Sequence, residues 1–362
     1  MASLTTSRSR RALFRRLSRN IDARISVRSL IGRLRDIAYQ SSCWYLRLSG
    51  TPMKSRAKTY IRSGLLKGQG HPVKLVVRSG KDAASENIVE HLLRPGKWEP
   101  AGEFEGAPVH RMGDSVVVTI PVHHLYYDDI DDKVEKALGE RPSLVIFASR
   151  HKSASNLRTL TVHPIGNYGQ AEMGGRDRTL VPAAPREMAF AFKEIVKRAG
   201  GDAPPLHGTI AKGVGGLKYQ ISLEATHHGP FLRTPTFYIE IGSDEAAWRE
   251  PEPAQVIAEA VFEVLTKDAP EAPVAVGVGG GHYVPRITDV AREKSVAFGH
   301  MLPSYGLEQG WSPETLQLML DATPGAKLVY FHKKAIKTPM LREMEAWFRE
   351  KGVEPFSSKD MD

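Results

Sequence analysis

From Val73 onward, short apolar runs alternate with segments whose apolar residues recur three and four positions apart. The runs predict strands at Val73–Ser79, Ser115–Ile120, Leu144–Ser149, Tyr219–Ala225, Thr236–Gly242, Val274–Val278, Val296–Gly299 and Lys327–His332. The helical spacing predicts helices at Ala84–Leu93, Arg186–Ala199, Ala254–Thr266, Pro313–Ala322 and Met340–Lys351. Runs such as "LVIFAS" and "VAVGV" are apolar at consecutive positions, as in strands covered by helices on both faces. The expected fold is therefore α/β, a three-layer α/β/α sandwich around a mixed, mostly parallel sheet. One domain over residues 73–362 accounts for this pattern, and no repeat of fixed period is present.

Charge separates the remaining residues from that domain. Residues 1–72 hold 16 of the 50 Lys and Arg but only Asp22 and Asp36 of the 41 acids, a local net charge of +14 that leaves −5 for the rest. The sequence pI of about 9.5 thus describes an Arg/Ser-rich extension and says little about the folded body. Such an extension fits a transit peptide, a phosphate-binding arm or a misassigned gene start, and the clean strand opening at Val73 favours the last. Disorder is the alternative expectation for it. No run approaches the ~18 apolar residues of a membrane span, and a cytoplasmic location is expected.

The single cysteine, Cys43, excludes a disulfide within the chain and a thiolate metal site. Nucleotide cofactors are disfavoured. In "VAVGVGGGHYVPR" the dinucleotide pattern would need glycine where His282 stands, and no Gly-Lys-Ser/Thr follows a glycine loop. No G-x-S-x-G elbow occurs either. What recurs is histidine and glutamate at predicted strand ends: His151, His163, Glu224, His227, His228, Glu240, His282 and His300. A lone strand-end histidine is usually a packing residue, the reading given to His91, His110, His123, His124, His207 and His332. Repeated use of one loop position instead suggests water activation, by a His/Glu base or by a metal held through His and carboxylate.

Five motifs in order, "SRH" with "LTVHPIGN", "EATHHGP", "GVGGGHYVPR", "TDVA" and "AFGHMLPSY", resemble the archaeal and plant type of D-aminoacyl-tRNA deacylase from about Val73 to Glu354. The resemblance implies hydrolysis of the ester between a D-amino acid of broad side-chain type and tRNA. It also implies a phosphorylase/hydrolase-like fold related to peptidyl-tRNA hydrolase, zinc dependence, a monomer, and the acceptor end of D-aminoacyl-tRNA as partner. Under it, Glu224, His228 and His282 are the expected catalytic residues. His151, His163, His227 and His300 complete the candidate metal set. Arg150, Lys152 and Arg286 suit acceptor-end phosphates, and the amides of Gly279, Gly280 and Gly281 suit an oxyanion or a phosphate. A peptidyl-tRNA or other acyl-ester hydrolase on the same fold, or a non-catalytic tRNA-end binder, are the alternatives. The native protein is expected to start near Val73 or at Met53; an intact mass corresponding to all 362 residues would contradict this.

Overall fold

The computed structural model describes residues 72–154, 157–200, 218–308 and 311–361. The basic extension before residue 72, with Cys43, and His207 lie outside the described residues.

In chain order the elements begin β1 (Val73–Ser79), α1 (Ala83–Leu93), β2 (Glu99–Phe104), β3 (Ala107–Met112), β4 (Ser115–Ile120), α2 (Ile130–Leu138), β5 (Pro142–Lys152) and β6 (Thr159–His163). They continue with β7 (Gly166–Asn167), β8 (Thr179–Leu180), α3 (Pro185–Arg198), β9 (Gln220–Leu223), β10 (Thr236–Ser243), α4 (Glu245–Arg249) and α5 (Pro251–Thr266). The last are β11 (Val274–Val278), α6 (Pro285–Glu293), β12 (Ala297–Leu302), α7 (Ser304–Glu308), α8 (Pro313–Asp321), β13 (Leu328–Phe331), α9 (Thr338–Glu350) and β14 (Glu354–Phe356).

Eight strands form one sheet in the order β2-β3-β4-β1-β5-β10-β6-β9, and four form a second in the order β12-β11-β13-β14. In the larger sheet β1 runs parallel to β4 and β5, β10 to β5, and β6 to β9, whereas β10–β6, β2–β3 and β3–β4 are antiparallel. The smaller sheet is parallel throughout. The α/β class and the mixed, mostly parallel pairing follow the sequence expectation, but the strands divide between these two sheets and a short antiparallel β7–β8 pair instead of filling one sheet.

Alternation along each strand feeds separate cores. Val76, Leu144, Ile146 and Ala148 join residues of α1, α3 and α5, while Leu75, Val77, Val145 and Phe147 meet Ile130 and Val134 of α2. From the smaller sheet, Ala275, Phe298, Tyr330 and Phe356 extend the first core. Val276, Val278, Val329 and Phe331 face the other way, onto Leu316, Met319, Met344 and Phe348 of α8 and α9. Each fully buried Leu, Ile or Phe in these layers contributes about 1.5–3 kcal/mol. Among the described residues no helix is long and apolar enough to cross a membrane.

Asp82 ties the larger sheet to its first helix. Its Oδ1 accepts from the amides of Ala84 and Ser85 at 3.0 Å, capping α1. Its Oδ2 accepts from Arg150 N at 3.0 Å and Ser149 Oγ at 3.3 Å, where β5 has run past its pairing with β1. Asp82→Ala should therefore cost about 2–3 kcal/mol, a lost cap plus an orphaned amide. Denaturant unfolding at neutral pH checks this; an unchanged midpoint would contradict the tether.

Candidate active site and metal centre

Pairing register puts the chemistry on one face of the larger sheet. Residues directly opposite across a ladder share a face, and so do residues two apart along a strand. Tyr238 lies opposite Phe147 and His163, Glu240 opposite Ser149, and Gly242 opposite His151. Phe147, Tyr238 and His163 consequently stack in sequence, with ring centroids 4.7 and 5.3 Å apart. One pleat further along, Glu240 sits between the two histidines, its Oε2 3.7 Å from His151 Nδ1 and 3.4 Å from His163 Nε2. Gly242 carries no Cβ for a packing reason: one would strike Thr159 Oγ1 and come within 3.0 Å of the His151 ring.

The second half of the site comes from the segment that follows β9. Glu224 N still bonds Val162 O of the larger sheet, but Ala225 N donates to His282 O and Thr226 N to Met301 O. The chain thus crosses from one sheet to the other while carrying Glu224, His227 and His228. His228 has φ of 46°, which departs from extended backbone and lets adjacent histidines face one cavity. The rings of His227 and His228 lie 4.3 Å apart.

The glycine turn after β11 supplies the last ring. Gly279 and Gly280 have φ of 93° and 97°, which L side chains rarely adopt, and they turn the chain so that His282 Nε2 lies 3.1 Å from Glu224 Oε2. Their amides are already committed, Gly279 N to Leu302 O and Gly280 N to Ser304 Oγ. The oxyanion or phosphate role expected for those two amides is therefore corrected: the turn aims His282, and its Gly279 and Gly280 N–H groups are spent on the fold.

Two further expectations change. His300 is fully buried in a register irregularity of β12, with Nδ1 3.0 Å from Thr226 Oγ1 and Nε2 2.8 Å from Val181 O. Both ring nitrogens are thereby engaged away from the other histidines, and the structure removes it from the metal set. Arg286 pairs with Asp289 at 3.1 Å and does not line the cavity. Arg150 and Lys152 do line it, with Asp82, His124, Tyr126, His151, His227, His228, Glu240 and His282 around about 430 Å³. Sequence reasoning passed over Asp82 and Tyr238, and read His124 as a packing residue, as its buried ring against Phe147 and Tyr238 bears out. Only Asp82 left a trace, as the polar residue before a predicted helix.

Hydrogen bonding fixes the imidazoles for ligation. His163, His227 and His228 each direct Nδ1 at a backbone carbonyl, of Pro164 at 3.1 Å, Ala225 at 2.8 Å and Gly229 at 2.7 Å. That arrangement leaves Nε2 as the ligating atom. Ligand atoms of these three residues lie within 4.8 Å of one another, as do those of His151, Glu224 and His282, and those of His163, Glu224 and Glu240. By hydrogen-bond geometry both Glu224 oxygens and His163 Nε2 are buried without a partner, although ring nitrogens of His227 and His282 lie 3.6 and 3.1 Å from Glu224 and the Glu240 carboxylate 3.4 Å from His163. Buried, under-satisfied nitrogen and carboxylate donors of this kind fit a metal ion.

Protonation follows the same contacts. Burial alone would raise the Glu224 pKa, but the close approach of His282 and the charges of His151 and His163 outweigh it and hold the carboxyl at about 2. Glu240 is likewise held well below the usual range against its burial, by His151 and His163. Burial drives His228 down to about 4 and His227 well below its ordinary value, so both keep their lone pairs at neutral pH. For His151 burial is overcome by Glu240 and Glu224, which lift it to about 9. In the metal-free protein its protonated form therefore stabilises the fold fully below about pH 6.5, and this contribution is lost as the pH rises through about 9. The urea midpoint of chelated protein should fall between pH 7 and 9.5 by more than that of a chelated His151→Gln variant; parallel profiles would contradict the pairing.

Similarity to known proteins agrees with this geometry. A sequence model for D-aminoacyl-tRNA deacylase matches residues 138–356. The D-aminoacyl-tRNA deacylase of Methanosarcina mazei is 36% identical over 270 residues, 73% of this chain and 84% of its own. That of Pyrococcus horikoshii is 37% identical over 238 residues, 64% of this chain and 81% of its own. A crystal structure of a conserved protein of unknown function superposes with a TM-score of 0.71 at 28% identity, over 80% of this chain and 96% of that one. The matched segment carries all seven clustered residues, from His151 to His282, and with it the chain belongs to the D-aminoacyl-tRNA deacylases, a family of ester hydrolases.

Proposed function

We propose that the histidine–glutamate cluster is where this chain hydrolyses the ester joining a D-amino acid to the 3′-terminal ribose of tRNA, and that the metal held there is zinc. The observation that carries this reading is the trio His163, His227 and His228, whose Nδ1 atoms are all committed to carbonyls while their ligand atoms converge. Nitrogen and carboxylate donors without thiolate match zinc in hydrolytic sites. Zinc bound there supplies Lewis acidity toward the ester carbonyl and toward a water.

The chain's own residues do the rest. Glu224, with its pKa near 2, is a poor proton reservoir at neutral pH and serves to hold His151, His227 and His282 in register. His282 is the most open ring of the cluster, its side chain 34% exposed, and is placed to hand a proton to the departing ribose oxygen. Arg150 and Lys152 on the cavity wall meet acceptor-end phosphates. On this reading the protein acts as a monomer in the cytoplasm and clears mischarged tRNA.

Deacylation of D-Tyr-tRNA and L-Tyr-tRNA tests the reading. The untreated protein should release D-Tyr and spare L-Tyr, chelation should abolish release, and zinc should restore it. His228→Ala should slow the D-ester reaction by about 10³-fold, the loss of several kcal/mol of transition-state stabilisation. Chelator-resistant turnover would contradict the metal, and equal turnover of both esters would contradict the substrate.

A further inference from the structure

The proposed substrate has two unlike halves, a polyanionic RNA end and one amino-acid side chain, and two cavities meet at the histidine pair. The first is the one that holds Arg150 and Lys152. The second, about 390 Å³, shares only His227, His228 and Met173 with it. Its described lining contains no Lys or Arg, and its one acid is the exposed Glu172. A phosphate entering along that wall would meet the negative charge of Glu172 and no Lys or Arg to pair with, which is unfavourable at short range.

An uncharged group would be received well. Tyr168, Met173, Pro303 and Tyr305 form the walls, and Met173 and Tyr305 leave 51% and 45% of their surface exposed. Large apolar side chains left facing water beside a reactive cluster suit a ligand that covers them. Met173 is also unbranched and adaptable, which suits side chains of differing shape. Tyr305 is held in register with the cluster, because Ser304 N donates to Gly280 O and Ser304 Oγ accepts from Gly280 N, both 2.8–2.9 Å. The wall of the second cavity is thus tied to the turn that aims His282.

Resting on the deacylase reading, we infer that the second cavity receives the side chain of the D-amino acid, with the RNA end lying against Arg150 and Lys152. Tyr305 then favours large apolar and aromatic side chains, and Glu172 disfavours acidic ones.

The test uses the full chain and compares kcat/KM on D-Tyr-tRNA, D-Ala-tRNA and D-Asp-tRNA. Tyr305→Ala should lower the value for D-Tyr-tRNA at least about tenfold more than for D-Ala-tRNA, the scale expected for apolar side-chain recognition, and Tyr305→Phe, which keeps the ring, should retain the D-Tyr-tRNA to D-Ala-tRNA ratio. Glu172→Lys, at an exposed position that the fold does not depend on, should raise D-Asp-tRNA relative to D-Tyr-tRNA about tenfold. Equal losses on D-Tyr-tRNA and D-Ala-tRNA in Tyr305→Ala, or an unchanged acidic-to-aromatic ratio in Glu172→Lys, would overturn the inference. A parent protein that cleaves none of the three would instead strike the deacylase reading itself.

Discussion

Glu240 is 2% exposed and lies between His151 and His163, three strands' worth of sheet converging on one carboxylate. A buried carboxylate remains ionised only where positive charge and hydrogen-bond donors replace lost water. Much of the site follows from meeting that requirement twice, for Glu240 and for the fully buried Glu224. The rings that hold these charges come from β5, β6, the segment after β9 and the turn after β11. No single element can supply them, which places the centre where the two sheets meet.

That placement has a chemical use. The crossing segment Glu224–His228 is anchored to the larger sheet through Glu224 N and to the smaller one through Ala225 N and Thr226 N. Rigid elements therefore fix its side chains on both flanks, and rigid supports keep ligand atoms within the tolerance that metal binding demands. The same crossing leaves open space on either side of His227 and His228, one side lined with cations and the other without. A substrate with a charged end and a largely apolar end can lie across such a centre in only one favourable direction.

Much of the fold was legible because the apolar patterns were strong. β1, β4 and β11 begin and end at the residues expected, and the five expected helices lie within a few residues of α1, α3, α5, α8 and α9. The hairpin β2–β3 was not legible: "EPAGEF" and "APVHRM" lie at the edge of the sheet, carry proline and lack alternation. Nor could periodicity say that the strands divide among separate sheets, since it reports which faces are buried and not which strands pair. In the site, histidines at strand ends marked His151, His163, His227, His228 and His282 correctly as neighbours in space, because that position recurs for one reason. His300 shared the position, but an irregularity in β12 turned it toward Thr226 and Val181. Asp82 and Tyr238 escaped notice because their importance lies in long-range register that no local motif records.

The claim on which the account stands is that His163, His227 and His228 hold a metal ion. Anomalous X-ray scattering at the zinc absorption edge, from crystals of the zinc-loaded protein, tests it most directly. The account predicts a peak within bonding distance, about 2.0–2.1 Å, of the Nε2 atoms of these three residues. Zinc-loaded crystals with no peak at this trio, or with scattering only at surface sites, would contradict it.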